Sequence, residues 1–407
     1  MKFCLIILEY FTFRLVFLVK IAQAPNYSCV LETQMKKIID INSNKRSFFL
    51  PLQILAASAV IASCAPVETK VEQTDLFFPP PPDPARYVFE RTVTGSASLL
   101  IEDDESKMRR MLTGEGMSTL GFSKPFDVTA CKGTMYVSDT VQRSVFAFNA
   151  VHKDFFMVGD REPGLLAKPL GLAVDGQCRL YAVDATRGAI VIYEADGTYV
   201  ASIGGSMYFD RLSHLAVNPE GTRVFAVDTG GVNSEHHYIR VFDVQTGEHL
   251  YDIGTRGSEP GQFNLPRDIA LGSDGNLYVV DGGNFRIQVF SQDGQYLRHF
   301  GTTGRQLGQF ARPKGIAVDA DDNVFVSDAS HGNFQIFDRD DALLLFVGNR
   351  SEQNDRAAYM LPAGLHVDED GRVYMVDQFF RKVDIYRPAG LDINQGYMGA
   401  WAGRSQK

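Results

Sequence analysis

Seven side chains near the middle of the chain are of types suited to binding or chemistry: His214, Glu235, His236, His237, Arg267, Asp268 and Lys314. Imidazoles and carboxylates move protons or ligate metals, and Arg267 and Lys314 add positive charge that favours an anionic group over a cation. The run Glu235-His236-His237 concentrates such groups, although an ordinary solvated polar loop would read the same way. Cys131 and Cys178 could form a disulfide or stay as two buried thiols; an oxidising compartment permits the bond. The chain has no Gly-x-Ser-x-Gly, no Walker-type loop and no Cys-x-x-Cys. A nucleophile elbow, a phosphate loop and a zinc knuckle are therefore unsupported. These spacings assign no catalytic residue, no metal set and no cofactor.

The elements that must position these groups come from an internal repeat. A pattern of four short β-rich runs recurs, the runs joined by turns of the Asp-Gly type. An Asp closes the second run each time, at Asp139, Asp184, Asp228, Asp281, Asp328 and Asp377, with gaps of 45, 44, 53, 47 and 49 residues. A Pro opens the first run at Pro125, Pro169, Pro266, Pro313 and Pro362, with Leu212 in that slot in the third copy. Six four-stranded antiparallel units of this length predict an all-β fold, a six-bladed β-propeller over residues 85–390. The sixth copy lacks a fourth run downstream. Residues 87–95 resemble that run, so an N-terminal strand should complete blade six and remove an open sheet edge. Residues 391–407 are left as a C-terminal tail outside the blades, with the lone Trp401. The strand-closing aspartates read as loop formers.

Two phrases, Glu259-Pro-Gly-Gln-Phe263 and Gln306-Leu-Gly-Gln-Phe310, precede opening prolines. With Val280-Asp281 and the run from Asn284 to Phe290, they resemble NHL repeats. The resemblance implies the propeller and leaves its role open, because this fold hosts many functions. Amidating lyases of related architecture hold zinc through His residues in the slot after the opening Pro. That slot here holds Phe126, Leu170, Ser213, Arg267, Lys314 and Ala363, none of them His. His214 falls one position later, where strand alternation points it the other way. A lactonase-like metal cage would draw on Asp127 and Asp268, but blades one and four oppose each other across the ring. From Asp228 to Ile239 the chain runs five residues longer than the same step in the other blades. This insertion places Glu235, His236 and His237 on the face that carries His214, Arg267, Asp268 and Lys314, and long loops on one face often form the binding surface. The favoured expectation is a protein- or ligand-binding scaffold or sensor, with a lyase or lactonase as the alternative.

Residues 1–63 read as a signal region. Residues 48–62 are apolar but too short to span a bilayer, and Lys45 and Arg46 precede them. Ile61-Ala62-Ser63-Cys64 resembles a bacterial lipobox, which implies lipid attachment at Cys64. Met35-Lys36-Lys37 would make an ordinary start for such a signal. Residues 64–84 end in a proline run and read as a semi-rigid tether. The implied address is a cell-envelope lipoprotein; Ala65, in place of Asp, points to the outer membrane, facing the periplasm. The 407-residue chain has 40 basic and 49 acidic residues, a formal charge of −9. Residues 1–63 hold seven basic and three acidic residues, so the chain from Cys64 carries −13. Export and acidity speak against nucleic acid as a partner. They leave a monomeric propeller that meets an envelope protein or an extracytoplasmic ligand, with membrane contact through the lipid alone.

Overall fold

A computed structural model describes residues 75–99, 108, 112 and 119–402. The segment from residue 1 to 74, with the expected signal region, Met35 and Cys64, lies outside the described residues. The described residues fold as a six-bladed β-propeller of four-stranded antiparallel sheets. The innermost strands are Pro125–Cys131, Pro169–Val174, Leu212–Val217, Pro266–Leu271, Pro313–Val318 and Pro362–Val367. All six begin at the same end of the ring, here called the mouth face. The loops from second to third strand lie on that face too.

Residue patterns change outward along each blade for a physical reason. In blade four the second strand, Leu277–Asp281, and the third, Arg286–Phe290, are buried on both sides. They read as near-continuous runs because neighbouring blades cover both faces. The outer strand Tyr296–Phe300 alternates between covered and exposed residues, as a half-solvated strand should. Between blades one and six, Val128, Val137 and Phe146 pack with Tyr374, Val376 and Val383. Phe263 and Phe310, from the two Gly-Gln-Phe phrases, are fully buried between blades three and four and between blades four and five.

The strand-closing aspartates are all fully buried. Asp328 shows why. Its carboxylate accepts backbone N–H groups from Ala311, Arg312, Ser330 and His331 at 2.8 to 3.1 Å. One side chain thereby ties the entry to the innermost strand to the loop after the second strand. Asp139, Asp184 and Asp377 repeat this four-donor arrangement.

The N-terminal strand Tyr87–Val93 pairs with Lys382–Pro388 and closes blade six. Glu90 on that strand meets the wholly buried Arg372 at 2.9 Å. The closure goes further than the sequence suggests. Phe77–Phe78, inside the expected tether, pairs with Val88 and Tyr87 as a fifth strand. Trp401 lies outside the blades but is buried, stacked on Phe148 at 6.0 Å, and its indole N–H donates to the Ser98 carbonyl. At the end opposite the mouth, Cys131 and Cys178 form a disulfide between blades one and two, with Cα atoms 5.6 Å apart.

Candidate functional site at the mouth of the central channel

The geometry of the channel is set by a defect repeated in all six blades. Each innermost strand loses register with its neighbour just after its first residue, as between Pro266 and Ile269. Such a bulge re-aims side chains that regular alternation would separate. Both the second and the third residue of each strand therefore serve the axis. His214 is the clearest correction to the alternation argument. It is buried, and its ring lies 5.3 Å from that of Phe126, two blades away. The pair closes the neck of the channel. A Cβ added at Gly171 would sit 2.6 Å from the His214 Cα, and one added at Gly364 only 2.1 Å from an Asp127 carboxylate oxygen. The neck admits no more side chain at those two positions.

Below the neck, a channel of about 150 Å³ runs toward the opposite face between Asp127, Asp268, His366 and apolar strand residues. Opposed blades do not keep Asp127 and Asp268 apart electrostatically. Burial raises both carboxyls, Asp127 to about 7, and Asp268 is raised further by the charge of Asp127. Yet their oxygens are committed. Asp127 accepts the N–H groups of Val128 and of Leu172 in blade two, and Asp268 those of Ile269 and of Ile316 in blade five. They staple neighbouring blades at the bulges. Among the described residues, no three His, Cys, Asp or Glu side chains converge as a metal would need.

Above the neck the charge reverses. Arg267 and Lys314 are half-buried at the rim, and the exposed Arg211 and Arg312 join them. Burial, then Arg267, Arg312 and Arg211 in turn, lowers the Lys314 ammonium to about 8. Arg267 is lowered by burial and then by Arg211 and Arg312. Burial and then the charges of Lys314 and Arg267 push the His214 imidazole down to about 3, so it is neutral. Its Nδ1 has no partner among the described residues. None of the four cations makes an ion pair or a side-chain hydrogen bond among the described residues. This is unusual in a chain of net charge −9. The sequence reading found Arg267 and Lys314 but missed Arg211 and Arg312. Both precede the first residue of an innermost strand, a slot that also holds Lys124 and Lys168. Tabulating that slot across the repeats would have exposed the basic rim.

The inserted loop divides its three candidate residues. Glu235 is exposed and pairs with Arg256 at 2.9 Å, and Arg256 also donates to the Val232 carbonyl. His236 faces Asp210 at 3.1 Å, and Ser234 donates to the same carboxylate. His237 is no surface residue. It is fully buried, its Nδ1 accepts the Leu265 N–H, and its Nε2 meets the Gly231 carbonyl at 3.0 Å. It is a strut that fixes the loop to blade four. The mouth face also exposes Val141, Met207, Val232, Leu307 and Phe379 on its loops. Basic residues outnumber acidic ones on the loops of this face, and acidic residues such as Asp274, Asp321 and Asp340 dominate the turns of the other. The propeller is electrically two-sided.

Residues 263–290, from Phe263 through the first three strands of blade four, match the model of the NHL repeat. The chain is a six-bladed β-propeller with an NHL repeat in blade four. The chain is 34% identical to human NHL repeat-containing protein 3 over 87 residues, 21% of this chain and 24% of that protein. The matched stretch thus spans about a quarter of that relative's length. Among solved structures, a Bacteroides thetaiotaomicron protein of unknown function superposes with a TM-score of 0.53 at 19% identity, over 66% of this chain and 70% of that one. A gluconolactonase from Xanthomonas campestris gives 0.51 at 19% identity, over 66% and 86%. At these identities the two likenesses show the shared propeller fold alone.

Proposed function

We propose that this NHL propeller is a binding module of the cell envelope, held through lipid on Cys64, that engages an envelope protein or an extracytoplasmic ligand through its mouth face. One observation carries the reading: four cations, Arg211, Arg267, Arg312 and Lys314, converge at the channel rim without a counter-ion among the described residues. Like charges brought together and partly desolvated cost stability, and such costs concentrate where a site must meet something. The exposed Val141, Val232 and Phe379 add apolar contact on the same face. The envelope address rests on residues 45–64 and is supported by the chemistry of that segment alone. The lyase or lactonase alternative ranks second, because the buried carboxylates are spent on backbone N–H groups and the rim is cationic.

The test is affinity capture from the native envelope with lipid-modified protein. Wild type and a variant carrying Arg211→Gln, Arg267→Gln, Arg312→Gln and Lys314→Gln are compared. The proposal expects a discrete partner or ligand with wild type and its loss with the variant. Equal capture by both proteins rejects the mouth face as the binding surface.

A further inference from the structure

The rim of the channel is chemically split. At the second residue of the innermost strands, nearest the axis, the cations are Arg267 of blade four and Lys314 of blade five, with Arg211 and Arg312 acting on them from the slot before each strand; Lys124 and Lys168 fill that outer slot on blades one and two. The same inner position on blades six, one and two holds Ala363, Phe126 and Leu170, all partly exposed. The floor between the halves is the Phe126–His214 ring pair, which closes the axis, and His214 brings a buried ring nitrogen with no partner among the described residues. A ligand seated here stops at the neck and does not thread the ring.

Resting on the binding reading above, we propose that the mouth is a site for a small organic anion: a carboxylate or phosphate head on an apolar body. The head meets Arg267 and Lys314, with Arg211 and Arg312 outside them. Arginine forks and a lysine point charge suit an oxyanion with several acceptor oxygens. The body lies on Phe126 and Leu170. A purely inorganic anion would leave that apolar half unused, and a neutral apolar molecule would leave the cations unsatisfied. The split specifies both parts of the ligand. The protein's negative net charge adds a condition. Long-range attraction for anions is weak here, so affinity must come from contacts at the rim.

Isothermal titration of the purified protein with phenyl phosphate, inorganic phosphate and phenol tests this at one salt concentration. Phenyl phosphate should bind once per chain and at least tenfold more tightly than either fragment. Arg267→Gln and Lys314→Gln should each weaken it by about ten- to a hundredfold, the range of hydrogen bonds to charged groups. Leu170→Ser should weaken phenyl phosphate and leave inorganic phosphate unchanged. This variant also keeps the test independent of the neck, which Phe126→Ala could disturb. Lys132→Gln, on the opposite face, should change nothing. No saturable binding, equal affinity for phenyl phosphate and inorganic phosphate, or an equal loss in Lys132→Gln would overturn the proposal. So would association with vesicles of phosphatidylglycerol and phosphatidylcholine in the absence of phenyl phosphate binding, which would identify a membrane surface instead. If phenyl phosphate fails to bind while envelope capture persists, the ligand inference falls and the binding role stands. If phenyl phosphate binds and capture is unchanged by the four-residue variant, the reverse holds.

Discussion

Replacing Lys314 with Met should stabilise the fold, because the ammonium is held at a cost. Its pKa falls from 10.5 to about 8, through burial first and then through Arg267, Arg312 and Arg211. At 1.36 kcal/mol per unit the full shift corresponds to about 3 kcal/mol. Lys314 is only half-buried, and solvent and salt screen the repulsion, so about 1–2 kcal/mol is the expected gain. Methionine keeps an unbranched apolar stem and removes only the charge. The sign follows from linkage. A base with a depressed folded pKa is charged in both states below about pH 8, and there the penalty is full. The penalty shrinks as pH rises from 8 toward 10.5, where both states become neutral. Urea unfolding of wild type and Lys314→Met at pH 7 and at pH 10.5 measures this as a difference between two proteins. The variant should be more stable at pH 7, and the gain should fade at the higher pH. High salt should remove the Coulomb part of the gain and leave the part due to burial. A variant that is less stable at pH 7, or a gain that persists unchanged at pH 10.5, would refute the claim that the rim is a set of mutually repelling cations, unpaired among the described residues.

Three further outcomes follow from the fold. Asp328→Ala should lower stability by at least about 3 kcal/mol in urea titrations, since four backbone donors lose one buried acceptor; a cost below 1 kcal/mol would show that water replaces it freely. Removing residues 85–95 should abolish cooperative thermal unfolding, because it opens blade six and strands the buried Arg372 without Glu90; an unchanged transition would rule out the closure. Cys131→Ser with Cys178→Ser should cost about 2–4 kcal/mol, as a bond across a sequence separation of 47 restricts the unfolded chain, and equal unfolding midpoints in oxidised wild type and the double variant would contradict it.

Much of the ring was legible in the sequence because the signals are local. The six aspartates fixed the blade count, and their burial, with four backbone donors each at Asp139, Asp184, Asp328 and Asp377, explains why that residue type recurs. The strand at residues 87–93 was found by its likeness to other outer strands. What escaped depends on tertiary geometry. Alternation sent His214 away from the axis, whereas the bulge after the first residue of the strand brings it there. His237 looked like its neighbours in a polar loop, and only the Leu265 N–H from blade four reveals it as a strut. Phe77–Phe78 sat beside a proline run and read as a spacer, but the exposed edge of blade six gives it a partner. Arg211 and Arg312 are one residue outside the strands, where a single surface arginine means little. Their significance appears only when three blades place them around Lys314.

The measurement that bears most directly on the central claim is face-resolved photo-crosslinking in the native envelope. A photoreactive residue is placed at Val141 or Phe379 on the mouth face, and separately at Gln177 on the opposite face. The two-sided charge and the basic rim predict discrete adducts from the first two positions, none from Gln177, and loss of the adducts when Arg267 and Lys314 are neutralised. Adducts from Gln177 alone, or adducts indifferent to Arg267 and Lys314, would contradict it.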